Sequence, residues 1–298
     1  MVHSGIKIGE SHIMTEVELK NRTPGPKKLA VLNDMAGYGR CALTAAIPVI
    51  SALKVQCCPV VTAVLSSHAA YPHCYFDDYT DRMEDYISQW KLLDFQMDGI
   101  MTGFLGSARQ AEIAVDFVRH FKRAHTMVLV DPTMGDNGRL YSICNDALIE
   151  AFKELIPYAD IITPNLTEAC FLTGTPYRED GWSKAELLTL TGGLQKLGAK
   201  AVVLTGVVKG QRIVNVIHAQ GEEPVFLSSR REGGGHHGTG DVFAAVIGAS
   251  VVKGVPLTEA VRRAAAFTRR CVMRSNAQGI PEKEGLCLEE CLSYLMKF

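Results

Sequence analysis

The chain lacks any apolar run long enough to cross a bilayer. Its longest stretches, such as Val242–Val252, fall short of the ~20 residues a span requires. It lacks an excess of either charge. With 31 Lys and Arg against 32 Asp and Glu, the net charge is −1, and no basic footprint points to nucleic acid or an anionic membrane surface. The N-terminus lacks the basic-then-apolar pattern of a secretory signal. No C-x-x-C pair is present. Nine cysteines, an odd number, are scattered through apolar segments, which argues for reduced, buried thiols and a cytoplasmic protein rather than a disulfide framework or a metal site. A Walker A motif is missing, which argues against a P-loop NTPase. There is no internal repeat and no low-complexity segment.

What is present fits a folded globular protein of ordinary composition. Of 298 residues, 47% are hydrophobic and 21% charged, inside the range of globular proteins. A chain of this length buries roughly three quarters of its unfolded surface and is compatible with one α/β domain. Residues 1–27 are polar, aperiodic and rich in Pro and Gly at their end, so they are expected to be a flexible extension. Residues 28–298 are expected to form the domain.

Short β-branched runs recur at Leu29–Leu32, Pro59–Val61, Gly99–Met101, Met127–Val130, Asp160–Ile162 and Ala201–Leu204. They do not alternate with polar residues, which predicts strands covered on both faces. Helix-length stretches lie between them at Leu43–Leu53, Ser107–Arg123, Asn145–Ile156 and Lys184–Leu197. A hairpin is predicted from Ile213–Ile217 with its turn at Gly221, followed by helices at Asp241–Val252 and Thr258–Arg274. The alternation predicts an α/β fold of three layers, α/β/α, with a mostly parallel central sheet flanked by helices.

In such sheets ligands bind beyond the C-terminal ends of the strands. Polar or glycine-rich loops are expected there: Asn33-Asp34, Ser66-Ser67-His68, Gly103–Gly106, Asp131–Asp136, Thr163-Pro164-Asn165 and Thr205-Gly206. The segment Gly235-His236-His237-Gly238-Thr239-Gly240-Asp241 runs straight into an apolar helix. Free amides at a helix tip hold anions, and a carboxylate in the first turn can accept a proton from an attacking hydroxyl. The blander reading is a helix cap with Asp241 favouring the dipole. A helix tip is also expected to lower the pKa of that carboxylate. Asp131 and Glu168, at separate strand ends, suit a hard cation such as Mg²⁺, although Asn165 and Glu168 also spell a capping box. His236 and His237 are adjacent in a loop and are not expected to share a metal. The string Gly233-x-Gly235-x-x-Gly238 formally matches a dinucleotide fingerprint, but it follows the polar run Ser228–Glu232 rather than a strand and sits late in the chain.

Taken together, these segments resemble the ribokinase-like superfamily and, within it, the pyridoxal (vitamin B6) kinase branch. The resemblance covers nearly all of 28–298. It rests on Gly238-Thr239-Gly240-Asp241, Asp131-Pro132-x-Met134-Gly135-Asp136, Ile162-Thr163-Pro164-Asn165-x-x-Glu168, Thr102–Ser107 and Thr62–His68. It implies ATP-dependent phosphorylation of a 5′-hydroxymethyl group on pyridoxal, pyridoxamine or pyridoxine. Asp241 would be the base, with the amides from Gly238 through Gly240 to Asp241 as the anion hole and Thr239 close to the β- and γ-phosphates. Asp131 and Glu168 would serve Mg²⁺ directly or through water, Thr163 and Asn165 would lie near the triphosphate, and Thr205 and Gly206 near the nucleotide. Asp34, Thr62, His68 and Phe104 would surround the pyridine ring. A homodimer with a flap over the substrate is implied, and a monovalent-cation requirement is left open.

Departures from that branch are informative. Asp34-Met35-Ala36-Gly37 stands where Ser-His-Val-Val is frequent, which would favour a substrate carrying an amine; Phe104 replaces a tyrosine, and His237 a threonine. Hydroxymethylpyrimidine kinase is the nearest alternative. An NAD-dependent oxidoreductase and a non-catalytic ligand-binding protein are the alternatives of other classes.

Overall fold

The structure, a computed structural model, describes residues 25–298 apart from Ala69 and Gly234. Most of the expected N-terminal extension, residues 1–24, lies outside that range. Eleven strands follow in chain order: β1 (Lys28–Tyr38), β2 (Gln56–Ser67), β3 (Phe76–Asp78), β4 (Gly99–Thr102), β5 (Met127–Val130), β6 (Gly135–Asp136), β7 (Arg139–Leu140), β8 (Ile161–Ile162), β9 (Ala201–Lys209), β10 (Arg212–Ala219) and β11 (Val225–Arg230). The helices are α1 (Ala42–Ala52), α2 (Thr80–Leu92), α3 (Ala108–Phe121), α4 (Asp146–Leu155), α5 (Leu166–Thr173), α6 (Lys184–Lys196), α7 (Thr239–Val252), α8 (Leu257–Ala277) and α9 (Leu292–Leu295).

Nine strands make one sheet in the order β11-β10-β9-β8-β5-β4-β1-β2-β3, and β6 and β7 form a separate two-stranded ribbon. The central pairs from β2 to β9 are parallel, whereas β3, β10 and β11 add antiparallel edges. The apolar runs divide residue by residue between two cores. Ala30, Leu32, Ile100, Val128 and Val130 face the layer that contains α3 and α4, while Leu29, Val31, Met101 and Leu129 face the layer of α1, α7 and α8. That is why these strands lack polar alternation. Each such side chain, fully buried, contributes roughly 1.5–3 kcal/mol. Helix α7 is apolar nearly all round because it lies against the middle of the sheet. Gly248 permits the approach, since a Cβ there would sit 3.2 Å from Leu29 Cδ2.

The predicted layers and mostly parallel central sheet are found, with three differences. Strands β1 and β2 do not stop at Leu32 and Val61 but run on as a parallel pair to Tyr38 and Ser67, so Asn33-Asp34 and Ser66-Ser67 belong to strand rather than loop. Thr205 and Gly206 likewise lie inside β9, where Gly206 takes φ +71° at a register shift against β10. Finally, β3 and α2 escaped the sequence pattern. Only Met83 and Ile87 of α2 are buried, too few to show a helical period against its charged surface. No helix among the described residues is long and apolar enough to cross a membrane.

Candidate active site

The tip of α7 is built by glycine. Gly238 caps the helix with φ +77°, and a Cβ there would collide with the Arg40 carbonyl oxygen and come within 3.0 Å of Cys41 Cα. The first-turn amides have no intrahelical acceptors, and a Cβ at Gly240 would meet open space, so an anion can approach them. The Thr239 hydroxyl donates to the His236 carbonyl at 3.0 Å, which fixes the entry to the helix.

Asp241, on that first turn, accepts a hydrogen bond from Asn33 Nδ2 at 3.1 Å. The Ala42 amide and its own amide also bond to its carboxylate. Its pKa is nevertheless raised, because burial outweighs these donors. This corrects the expectation of a lowered value at a helix tip, and it makes Asp241 a stronger base than the dipole alone would allow. Burial, followed by repulsion from Asp241, raises Asp34 to about 7 and Asp131 to about 7. No basic group offsets this repulsion at either residue.

Asp131 leaves β5 with its amide on the Thr102 carbonyl at 3.1 Å and accepts the Thr163 hydroxyl at 2.9 Å. Glu168 is engaged differently. Its Oε2 accepts the Asn165 amide at 2.8 Å and its Oε1 the Met134 amide at 3.2 Å, while Asn165 Oδ1 takes the Glu168 amide at 3.0 Å. The capping box is therefore real, and it also clamps the Asp131–Asp136 loop through Asn165 Nδ2 on the Gly135 carbonyl at 2.8 Å. Burial and Asp131 hold the Glu168 carboxyl well above its usual range.

Among the described residues, no group of three or more His, Cys, Asp or Glu is arranged to hold a metal by itself. Mg²⁺ asks for less: one or two carboxylates, with phosphate oxygens and water completing the shell. A cluster of mutually repelling carboxylates without a cation suits that ion. In this arrangement Asp131 is the candidate direct ligand, and Glu168 contributes charge and loop order.

At the other end of the cleft, Thr62 and Phe104 are brought together, although not as two free ligands. The Thr62 hydroxyl donates to the Phe104 carbonyl at 3.0 Å, so it holds Phe104 in place. Asp34 is 8% exposed, and among the described residues no side chain donates to its carboxylate. His68 turns its Nε2 onto the Lys283 carbonyl and stacks 4.5 Å from His237, next to the helix tip. His236 turns away from that pair, with Nε2 on Asn276 Oδ1 at 3.0 Å. The two adjacent histidines thus diverge, as expected.

A cavity of about 210 Å³ lies beside the helix tip. Thr205, Gly206, Thr239 and Gly240 line it, as the sequence suggested; Thr163 and Asn165 do not, although Asn165 bridges to Thr205 through the backbone. Sequence reasoning missed its apolar walls, Ile213, Phe243 and Val272, and its polar points, Asn215 and Thr268. Asn215 Oδ1 accepts the Gly206 amide at 3.0 Å, and among the described residues the buried Thr268 hydroxyl has no partner. These residues come from β10, α7 and α8, far apart in the chain, and only a long-range fold brings them together. Contrary to expectation, Ser228–Arg230 are not loop but the end of β11, so the Gly233-x-Gly235-x-x-Gly238 string does follow a strand, although an antiparallel edge strand. The βαβ setting of a dinucleotide turn is absent, and the oxidoreductase reading loses its basis.

The profile of the phosphomethylpyrimidine kinase family matches residues 39–285. The fold superposes with TM-score 0.88 on a Bacteroides thetaiotaomicron protein described as a candidate phosphomethylpyrimidine kinase, 36% identical, over 92% of this chain and 96% of that one. Another crystal form of that protein was solved with pyridoxal. A hydroxymethylpyrimidine/phosphomethylpyrimidine kinase of Rhizobium meliloti is 28% identical over 255 residues, 83% of this chain and 91% of its own length. A pyridoxine/pyridoxal/pyridoxamine kinase of Bordetella bronchiseptica is 26% identical over 285 residues, 89% and 97% of the two chains.

Proposed function

Because the chain belongs to the phosphomethylpyrimidine kinase family, we propose that it transfers the γ-phosphoryl group of ATP to the hydroxymethyl group of a vitamin B6 vitamer. One observation carries this reading. The α7 tip borders the cavity of about 210 Å³ through Thr239 and Gly240, and Asp241 stands on the same turn.

In the proposed reaction Asp241 accepts the proton of the substrate hydroxyl as its oxygen attacks phosphorus. The amides from Gly238 to Asp241 hold the oxygens of the migrating group, on which charge is concentrated. Thr205 and Gly206 border the nucleotide, and Thr163 and Asn165 order the loops that face its phosphates. Asp131 would hold Mg²⁺, with Glu168 behind it; the ion, when bound, would neutralise charge on the phosphates. Asp34, Thr62, His68 and Phe104 form the ring-binding end. The buried, unpaired carboxylate of Asp34 favours a ring bearing an amine beside its hydroxymethyl group, as in pyridoxamine.

The second reading, a hydroxymethylpyrimidine kinase, is favoured by the matching family and by the Rhizobium relative. That pyrimidine also carries an amine beside its hydroxymethyl group. Incubation with Mg-ATP and each of the three B6 vitamers or the pyrimidine, with ADP release recorded, separates the two. Turnover with pyridoxamine at least as fast as with the pyrimidine is expected, and turnover with the pyrimidine alone ends the B6 reading.

A further inference from the structure

Asn33 is a polar side chain buried to 2% exposure where β1 passes the end of β4, and both its amide oxygen and its amide nitrogen are engaged. Its Oδ1 accepts two backbone amides, Asp34 N at 3.0 Å and Phe104 N at 2.8 Å. Two N–H donors can face only the oxygen, so the amide orientation is fixed by its neighbours. The Nδ2 group is then forced toward Asp241, whose Oδ1 it meets at 3.1 Å. The opposite wall is closed as well. A Cβ at Gly103 would lie 2.5 Å from Asn33 Nδ2 and 2.6 Å from its Cγ, so the glycine leaves room for this one placement.

We propose that Asn33 is the positioning residue of the reaction: it joins the catalytic carboxylate on α7 to the two substrate-end segments that begin at Asp34 and Phe104, and so sets the distance between base and alcohol. The inference rests on the reading of Asp241 as the base. An isosteric carboxylate at position 33 still accepts both backbone amides, but it withdraws the donor from Asp241 and places a like charge against it. The ionised Asp241, which also faces Asp34 on β1, Asp131 after β5 and the Cys41 thiol ahead of α1, is then disfavoured.

The test compares wild type with Asn33→Asp and, independently, with Gly103→Ala, which displaces the Asn33 amide without changing it. Steady-state kinetics are run from pH 5.5 to 9 with Mg-ATP and pyridoxamine, with circular dichroism as the check on folding. Both variants are expected to fold and to lose ~10²-fold in kcat, the scale of an ångström of misplacement. The KM for ATP should stay within about threefold in both, since neither position lines the nucleotide cavity. The acid limb of kcat should move to higher pH in Asn33→Asp, a shift that mere loosening of the fold would not produce. A folded Asn33→Asp or Gly103→Ala protein with kcat within twofold of wild type and an unmoved acid limb overturns the proposal. The wild-type arm separates the two ideas: activity there upholds the kinase reading whatever Asn33 does.

Discussion

In the cavity beside the α7 tip, the proposed nucleotide site, the acid Glu232 lies on Arg269, 2.8 Å from its Nε, and the walls are largely apolar. At the proposed substrate end Asp241 repels both Asp34 and Asp131, and among the described residues no basic group offsets that repulsion. The first region pairs its one acid, Glu232, with a base of the protein itself. The second stores repulsion that a cation and a cationic substrate would relieve. Strain of this kind gathers where chemistry is done, since a fold selected only for stability would neutralise or remove such charges.

The largest expected effect on the metal requirement breaks the carboxylate end directly. Asp131→Asn should raise the Mg²⁺ concentration for half-maximal activity by about 10- to 100-fold. Glu168→Gln, whose oxygens serve the α5 cap, should change it by less than about threefold and cost ~1 kcal/mol of stability. Metal titrations and urea melts of the pair decide whether the two acids differ as their hydrogen bonds indicate.

Asp34→Asn sharpens the same comparison. It should lower kcat/KM for pyridoxamine by roughly 10-fold and for pyridoxine by less than threefold, because only the amine loses a charged partner. Equal losses on both vitamers would remove Asp34 from amine recognition. At the quieter nucleotide end Thr268→Val should raise the KM for ATP about three- to tenfold with kcat retained, if the unpaired hydroxyl meets the base. An unchanged KM for ATP would leave that hydroxyl without a ligand role.

The smallest effect is on stability. The folded-state pKa values of Asp34 and Asp131 stand near 7, above those of the unfolded chain. Between about pH 4 and 7 the folded protein therefore holds more protons, and these residues make it less stable as pH rises through that window. Asp34→Asn should therefore melt higher than wild type at pH 8 without Mg-ATP. Melting curves at pH 5 and 8 check the sign; a wild-type protein relatively more stable at pH 8 than the variant would contradict it.

Much of this was legible in the chain. The parallel sheet followed from strands such as Met127–Val130, which carry no polar face because both sides are covered. The helix tip followed from Gly238–Asp241, a local signal. The capping box at Asn165 and Glu168 was equally local, although sequence alone left its balance with a metal role open. What stayed hidden was long-range. Asn33 reaches Asp241 across 208 positions, and nothing in its own neighbourhood announces that contact. The raised pKa of Asp241 also escaped, because the local dipole could be read from sequence while the burial that outweighs it could not. Thr268 and Phe243, apart in sequence, share a cavity only after α7 and α8 pack together.

The account stands most directly on one single-turnover experiment, with enzyme in excess over labelled ATP and saturating pyridoxamine, run for wild type and Asp241→Asn alongside ATP-analogue binding. It predicts that the variant binds the nucleotide as wild type does yet transfers the phosphoryl group roughly 10²- to 10⁴-fold more slowly. Transfer by Asp241→Asn at the wild-type rate would contradict it.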